Sequence, residues 1–413
     1  MNILFVSQYF YPENFRINDL ALRLLKRGHR VSVLTGMPNY PQGEFYKGYG
    51  PFSPKEEDYQ GVRVMRVPVI PRHTGAAWLC LNYLSFIISG CRKAGLLREE
   101  YDVIYAFGTS PITQVLPALT YKRRHSAGII VNVQDLWPDN VSAITGIHNP
   151  LAIGLLDIMV DYIYNRCDII MGTSKSFVQA IRKRRGLRDK RKVVYYPQYA
   201  VVEASQAKRY DLMPERELFH IAFTGNVGEG QGLDKLIGAL VLLKKQGYEG
   251  RVIFEIFGDG RSREELEKQR LKCGLERMLR FHGSFPEEEI PAILNTADAA
   301  LLILKYDPIF KRTIPAKLQT YLACGCLVLG CVEGEGKALI RREHIGISAD
   351  CINHVALANA TKELLELPEE EISRMRGNAL ALSRREFDPE LLVERLEKYM
   401  RYLHRQKKRG RIC

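Results

Sequence analysis

Short apolar, β-branched runs recur along this chain with longer amphipathic stretches between them, and the series is played through twice. The first set is Ile3–Val6, Val31–Leu34, Val62–Val67, Val103–Phe107, Ile129–Val133, Ile169–Met171 and Val193–Tyr195. The second is His220–Thr224, Val252–Phe257, Ala299–Leu304 and Leu327–Gly330. Runs this short and this apolar read as strands buried on both faces, and their alternation with helical periodicity is the pattern of a parallel sheet clothed by helices. Asn14 to Arg27 is one such helix, with Leu20, Leu24 and Leu25 on one face and Gly28 as its stop. The expected fold is α/β: two Rossmann-like, doubly wound parallel-sheet domains facing each other across a cleft, with a C-terminal helix.

Residues 1–200 make the first domain, the polar and patternless stretch 201–217 the linker, and residues 218–388 the second domain. Residues 389–413 read as a separate amphipathic helix, Pro389 to Tyr402, and a basic tail around Arg405–Arg411 that is expected to fray. Ligands of such folds bind outside the carboxyl ends of the strands.

A chain of 413 residues with 46% hydrophobic and 26% charged side chains has the make-up of a globular protein, which excludes disordered, collagen-like and small disulfide-stapled classes. Nine cysteines, an odd number with no Cys-x-x-Cys pair, predict a reduced, cytoplasmic protein. The opening Met1–Val6 lacks a basic n-region, so no signal peptide is expected. The net charge of +13 is unevenly spread: residues 1–200 hold 26 basic and 15 acidic side chains, while residues 201–413 hold 34 and 32. That asymmetry points to a polyanionic partner of the first half, with plain solubility as the alternative.

The chemistry gathers in glycine loops. Thr224-Gly225-Asn226-Val227-Gly228-Glu229-Gly230-Gln231-Gly232 follows the first strand of the second domain and precedes a helix, where backbone N–H groups can receive a phosphate. Its order is neither Gly-x-Gly-x-x-Gly nor a P-loop, and a tight strand-to-helix turn is the plainer reading. Phe257-Gly258-Asp259-Gly260 closes the next strand at the same sheet edge. Thr313–Gly325 places Pro315 in the first turn of a helix together with Lys317, whose charge opposes the helix dipole unless it answers a bound anion.

These motifs, with Gln8-Tyr9-Phe10-Tyr11-Pro12-Glu13, Pro38-Asn39-Tyr40-Pro41-Gln42-Gly43 and Val133-Gln134-Asp135-Leu136-Trp137-Pro138, resemble the family 4 glycosyltransferases of the GT-B fold. The resemblance spans nearly the whole chain. It is strongest to the branch that builds O-antigen, capsule and colanic acid, including N-acetylfucosamine-type transferases. It implies a retaining transferase that moves a hexose or N-acetylated deoxyhexose from a nucleotide sugar to a polyprenyl-diphosphate-linked saccharide. The nucleoside is expected to be uridine, with guanosine the alternative.

By matched position, the resemblance places Gly225, Asn226, Gly228, Gln231, Gly232, Gly258, Asp259, Phe285, Arg312, Pro315, Lys317, Gln319 and Thr320 around the nucleotide sugar. Phe285 falls where the family's main chain meets the base. Asn226 and Gln231 replace an Arg and a Lys that many members hold against the diphosphate. Arg312 and Thr320 replace the two acids of a Glu-x7-Glu pair that grips the ribose. Gln134 stands where relatives carry a His, leaving Asp135 as the ionisable group beside the reaction centre, where it would hold a sugar hydroxyl or take a proton; an N-cap or turn role is its alternative. Gln134, Asp135 and Lys317 are thus the catalytic candidates, and Asn14, Arg16, Asn39 and Tyr40 the acceptor-binding ones. No apolar strand ends in Asp-x-Asp, so neither metal nor resident cofactor is expected, and Lys317 with loop amides would meet the leaving-group charge.

Two features suggest where the acceptor comes from. Gly75 to Cys91 is an almost chargeless stretch containing Trp78, Leu81, Leu84 and Ile88, short for a bilayer span, that reads either as a buried helix or as one dipping into the membrane interface. Arg182–Lys192 holds eight basic residues and one acid, and Tyr121–His125 is a smaller cluster. Such clusters attract anionic lipid, with a solvated basic loop as the alternative, and the chain is expected on the inner face of the plasma membrane. Two other classes compete: a GT-B sugar-nucleotide epimerase, which needs no acceptor, and a nucleic-acid-binding protein, for which no recognition motif is present.

Overall fold

A computed structural model describes residues 1–53, 55–141, 149–201, 213–215, 217–350 and 352–410. Two compact units emerge, residues 1–196 with 390–413, and residues 197–389.

The first unit runs β1 (Asn2–Val6), α1 (Arg16–Lys26), β2 (Arg30–Gly36), β3 (Glu56–Tyr59), β4 (Val62–Val67), α2 (Ala76–Leu96), β5 (Val103–Gly108), α3 (Leu116–Lys122), β6 (Gly128–Val133), α4 (Pro150–Arg166), β7 (Ile169–Gly172), α5 (Lys175–Lys183) and β8 (Val193–Tyr195). Its strands lie in the order β3-β4-β2-β1-β5-β6-β7-β8, all parallel except the β3–β4 pair. Every residue of β5 and β6 is buried, as a parallel sheet covered on both faces requires.

The second unit runs β9 (Phe219–Thr224), α6 (Asp234–Lys245), β10 (Val252–Phe257), α7 (Arg263–Lys272), β11 (Leu279–Gly283), α8 (Ile290–Thr296), β12 (Ala299–Ile303), α9 (Ala316–Ala323), β13 (Leu327–Cys331), α10 (Glu335–Arg342), β14 (Gly346–Ala349), α11 (His354–Leu365) and α12 (Glu369–Leu382). Its all-parallel sheet has the order β11-β10-β9-β12-β13-β14. In each sheet the chain reverses its direction of travel beside the first strand, between β1 and β5 and between β9 and β12, so loops part there and leave a crevice at the strand ends.

The two doubly wound sheets agree with the sequence pattern, and three strands lie outside it. β3 carries Glu56, Glu57 and Asp58 on a sheet edge, where charge guards against further pairing and leaves no apolar run to read. β11 and β14 are edge strands of mixed polarity. Helix α1 opens at Arg16, and its buried face is Ile17, Leu20, Ala21 and Leu24, without Leu25. Gly28 follows with φ of 82°, the left-handed stop.

The final helix corrects the expectation of a separate helix with a frayed tail. α13 (Pro389–Lys408) packs within the first unit and is helical through Lys408. It buries Leu392, Val393, Leu396, Met400 and Leu403; Leu403 lies where a Cβ at Gly128 would stand. Buried Glu397 meets His29 Nε2 at 2.7 Å, and Lys407 donates to the Tyr101 carbonyl at 3.1 Å. Most of the expected linker, 202–212 and 216, lies outside the described residues.

In the second unit a buried charge cluster ties three neighbouring strands. Glu255 of β10, 0% exposed, meets His220 Nδ1 of β9 at 3.0 Å and His282 Nε2 of β11 at 2.7 Å. Burial would raise Glu255, but the two histidine bonds hold it below its ordinary value of 4.5. Burial would lower His220, but its bonds to Glu255 and the Glu215 carbonyl carry it above 6.5. The depressed acid contributes stability above pH 4.5 that is lost as the pH falls through its folded value. The raised histidine contributes stability below pH 6.5 that is lost as the pH rises through its folded value. Glu255→Gln is therefore expected to cost about 3 kcal/mol, the low end for breaking a buried pair, and chemical denaturation should find that loss greatest between pH 4.5 and 6.5.

Candidate functional site

In the second unit the loops after β9, β10 and β11 are laced together by their backbones. Gly225 donates to the Phe257 carbonyl at 2.8 Å, Val227 to that of Asp259 at 2.8 Å, and Gly258 to that of Gly283 at 2.6 Å. The approach is so close that a Cβ at Gly258 would fall 1.8 Å from the Gly225 oxygen, so only glycine fits. This lacing spends the Gly225 N–H that the sequence offers to a phosphate. The N–H groups of Asn226 and Gly228 keep no partner among the described residues, and they are the ones left for an anion.

Between these loops lies a pocket of about 210 Å³ lined by Gly225, Asn226, Phe257, Gly258, Asp259, Ser284, Phe285 and Ile290. It is smaller than the roughly 300 Å³ of a whole small-molecule site, and so suits one moiety of a ligand. Phe285 meets Phe257 edge-on at 5.2 Å between ring centroids, and Phe257 in turn stacks on His282 at 4.3 Å. The Glu255 cluster, which the sequence reading did not pick out, thus braces the pocket wall; a charged residue within an apolar strand was its only trace.

Lys317 reaches back from α9 to the same loop. Its Nζ donates to Gln231 Oε1 at 2.7 Å and stands 3.7 Å from the Phe223 ring centroid. A Cβ at Gly225 would be 2.8 Å from its Cε. Pro315 caps α9 in an extended conformation, one residue before the first turn in which it was expected. Burial lowers the Lys317 pKa to about 7, and no carboxylate opposes this. An ammonium group desolvated without a counter-ion is an anion site in waiting.

Of the remaining candidates Asp259 lines this pocket and the others stand apart from it. Gly232, with φ of 70°, turns the chain towards α6. Asp259 pairs with Arg263 at 3.4 Å. Arg312 is exposed in a short turn before α9, and Thr320 is half-buried in α9; neither lines the pocket. Gln319 is buried, and its amide oxygen has no partner among the described residues.

The first unit gathers a polar network at the carboxyl ends of β1, β2, β5 and β6. Asp135 Oδ2 accepts the Ser110 N–H at 2.8 Å and Oδ1 the Asn140 amide at 2.9 Å. Burial still raises its pKa against these bonds. Both oxygens also stitch loops together, so the turn role weighed for Asp135 is present beside any chemical one. Gln134 donates to Asn132 Oδ1 at 2.8 Å.

Asn39 is spent internally: its oxygen accepts the Arg72 N–H at 3.0 Å and its amide donates to the Met37 carbonyl at 2.9 Å. It shapes the loop, leaving Tyr40, half-buried, as the outward member of that pair. Asn14 lies exposed ahead of α1, which Arg16 opens.

Glu13, not among the sequence candidates, clasps these loops. Its carboxylate accepts N–H groups of Asn39 at 2.9 Å, Tyr40 at 2.8 Å and Phe10 at 3.2 Å. Burial raises it to about 7 in spite of them. Gln8, Asn82 and Gln114 extend the network, with Gln8 Nε2 donating to Asn82 Oδ1 at 2.6 Å. A Gln and an Asn inside apolar stretches were the sequence signal, visible only as interruptions.

Comparisons with known proteins bear on both units. Residues 14–197 match the glycosyl transferase 4-like domain, and residues 208–381 match the glycosyl transferases group 1. The chain is 24% identical over 346 residues to the putative colanic acid biosynthesis glycosyl transferase WcaI of Escherichia coli K12, covering 79% of this chain and 82% of the relative. It is 27% identical over 279 residues to the probable glycosyltransferase WbjE of Pseudomonas aeruginosa, covering 64% and 66%. Among solved structures, sucrose-phosphate synthase of Thermosynechococcus elongatus superposes with a TM-score of 0.73 at 15% identity, covering 97% and 98% of the two chains. Anabaena HepE in complex with UDP and glucose gives 0.67 at 16% identity, covering 97% and 100%. The likeness in structure is one of fold.

A bound diphosphate would draw Lys317 back to its protonated form. Affinity for UDP-glucose, whose own charge is constant in this range, should be greatest below pH 7 and fall towards pH 9, by up to about tenfold per pH unit. In titration calorimetry Lys317→Ala should bind more weakly and lose that pH dependence; an unchanged profile would remove Lys317 from the site.

Proposed function

The chain belongs to the glycosyltransferases of the GT-B fold, and from that premise we propose that it moves a sugar, with retention of configuration, from a nucleoside-diphosphate donor to a lipid-linked saccharide. The observation that carries the donor side is Lys317, desolvated and without a carboxylate, held against a glycine loop that leaves N–H groups unspent. The pocket at Phe285 suits the base, uridine in this reading, and HepE, a neighbour in fold, is described in complex with UDP.

As the donor bond lengthens, negative charge grows on the departing diphosphate. The protonated Lys317 ammonium and the Asn226 and Gly228 N–H groups meet it, preorganised and little hydrated. Asp135, whose pKa burial raises, holds the acceptor hydroxyl or takes its proton. These groups do the work without a divalent metal, and the transferred sugar is a hexose or an N-acetylated deoxyhexose.

The setting is surface polysaccharide synthesis, which the names of WcaI and WbjE support, at the inner face of the plasma membrane. Helix α2 buries Asn82, Phe86, Gly90 and Ala94 and exposes Trp78, Leu81, Leu84 and Ile88, so it is neither wholly buried nor wholly apolar outside. No helix among the described residues is long and apolar enough to cross a membrane. Helix α4 adds exposed Leu151, Leu155 and Ile158, and α3 packs against both helices. The basic run Arg182–Lys192 is partly structural: Arg184 pairs with Asp157 and Asp161, and Lys192 with two carbonyls. Lys183, Arg185, Arg188 and Lys190 remain exposed for anionic lipid, while Arg182, also exposed, donates to the Val193 carbonyl and Arg191 pairs with Asp189.

Purified protein given sugar nucleotides and polyprenyl-diphosphate-linked saccharides should release nucleoside diphosphate only when both are present. Full activity is expected in EDTA; a loss restored by magnesium would overturn the metal-free reading. Release from no pair would end the transferase proposal, and an epimer formed from donor alone, seen by proton NMR, would put the epimerase in its place. Neutralising Lys183, Arg185, Arg188 and Lys190 should weaken flotation with anionic vesicles by about 1 kcal/mol per charge.

A further inference from the structure

Four strand ends of the first unit surround a group of side chains that the fold leaves unsatisfied. Tyr9 is 3% exposed, and apart from the Tyr83 phenol beside it its hydroxyl has no partner among the described residues. Gln8, 2% exposed, donates through Nε2 to Asn82, yet its Oε1 has no partner among the described residues. Buried polar atoms are seldom left so unless something outside the chain completes them.

Arg72 adds charge to this group. Its backbone N–H is fixed to Asn39 Oδ1 at 3.0 Å, and its guanidinium lies over the Tyr40 ring at 5.3 Å. No carboxylate among the described residues pairs with it. The electrostatics of Tyr9 and Tyr83 place both phenols within the field of Arg72, and that of Tyr83 also feels Asp135. The Tyr9 ring meets the same Tyr40 ring at 5.4 Å between centroids, so Arg72, Tyr9 and Tyr83 gather at these strand ends, with Tyr83 in the field of Asp135.

The carboxylates nearby are already occupied. Glu13 accepts three backbone N–H groups, and burial lifts it to about 7, which weakens its opposition to an anion. Asp135 is bonded to Ser110 and Asn140. What remains open is a planar guanidinium beside a phenol pair that keeps one O–H to give, the pattern that grips a phosphate, and one amide oxygen, which takes a hydroxyl.

We propose that Arg72, Tyr9 and Tyr83 form a subsite for a phosphate of the acceptor, and that Gln8 Oε1 receives a hydroxyl of the sugar attached to it. This rests on the reading of the chain as a transferase whose first unit takes the acceptor. The acceptor class is thus a phosphorylated sugar, with the phosphate belonging either to a lipid diphosphate or to a soluble sugar phosphate.

Titration calorimetry with the donor site saturated by UDP tests this, using farnesyl diphosphate, glucose 6-phosphate and glucose as probes. Either phosphate probe should bind the intact protein more tightly than glucose. Arg72→Gln should weaken phosphate binding at least about tenfold, the scale of a hydrogen bond to a charged group, and leave UDP affinity within twofold. Tyr9→Phe and Tyr83→Phe should weaken it less, and Arg72→Lys, which keeps charge but not the fork, should fall between. Tighter binding of farnesyl diphosphate marks a lipid source, and tighter binding of glucose 6-phosphate a soluble one. Phosphate probes that bind no better than glucose, or an Arg72→Gln protein that binds them unchanged and melts normally, would overturn the proposal. If UDP fails to bind while phosphate still binds through Arg72, the donor reading falls and the subsite stands.

Discussion

A parallel strand can be joined to its parallel neighbour only by a crossover long enough to cover a face of the sheet. Once both faces are covered, β5, β6, β10 and β12 have no side chain left in water. The strands can then hold no chemistry, and polar groups collect where the strands stop. Both candidate sites follow from this one constraint. Gly258 is glycine because the Gly225 backbone crosses it at such an edge, Gly225 because of its φ of 119° and the Lys317 side chain against it, and Lys317 reaches that edge from a helix that begins there.

Charge inside such edges is governed by what has been taken away from it. Lys317 loses water without gaining a carboxylate, so its pKa falls. Glu13 and Asp135 lose water and gain N–H donors, but not enough of them, so theirs rise. Glu255 gains two histidines and stays depressed. The first three are poised to respond to a ligand or a proton, and the fourth is a structural tie. The distinction lies in whether the missing partner is supplied by the fold.

The core strands were legible because fully buried parallel strands are apolar along their whole length. β3, β11 and β14 were not, since an edge strand has one open side and tolerates polar residues. In the site, the glycine loops and Lys317 could be read from residue type and spacing. Glu13, Gln8 and Asn82 could not, because their importance lies in partners as much as 106 residues away. The basic run at 182–192 shows the same limit: sequence counts its charges, but only packing shows that Arg184 faces Asp157 and Asp161.

The sequence by itself determined the two doubly wound sheets, the place of the glycine loops and the family, because burial imposes a period and close backbone approach imposes glycine. Tertiary structure decided the rest. It returned α13 to the first unit through Glu397 and Leu403, spent the Gly225 N–H and the Asn39 amide on the fold itself, and left Arg72 and the Gln8 amide oxygen unanswered among the described residues. Whether a polar group is available for chemistry depends on which neighbours have already used it, and those neighbours are distant in the chain.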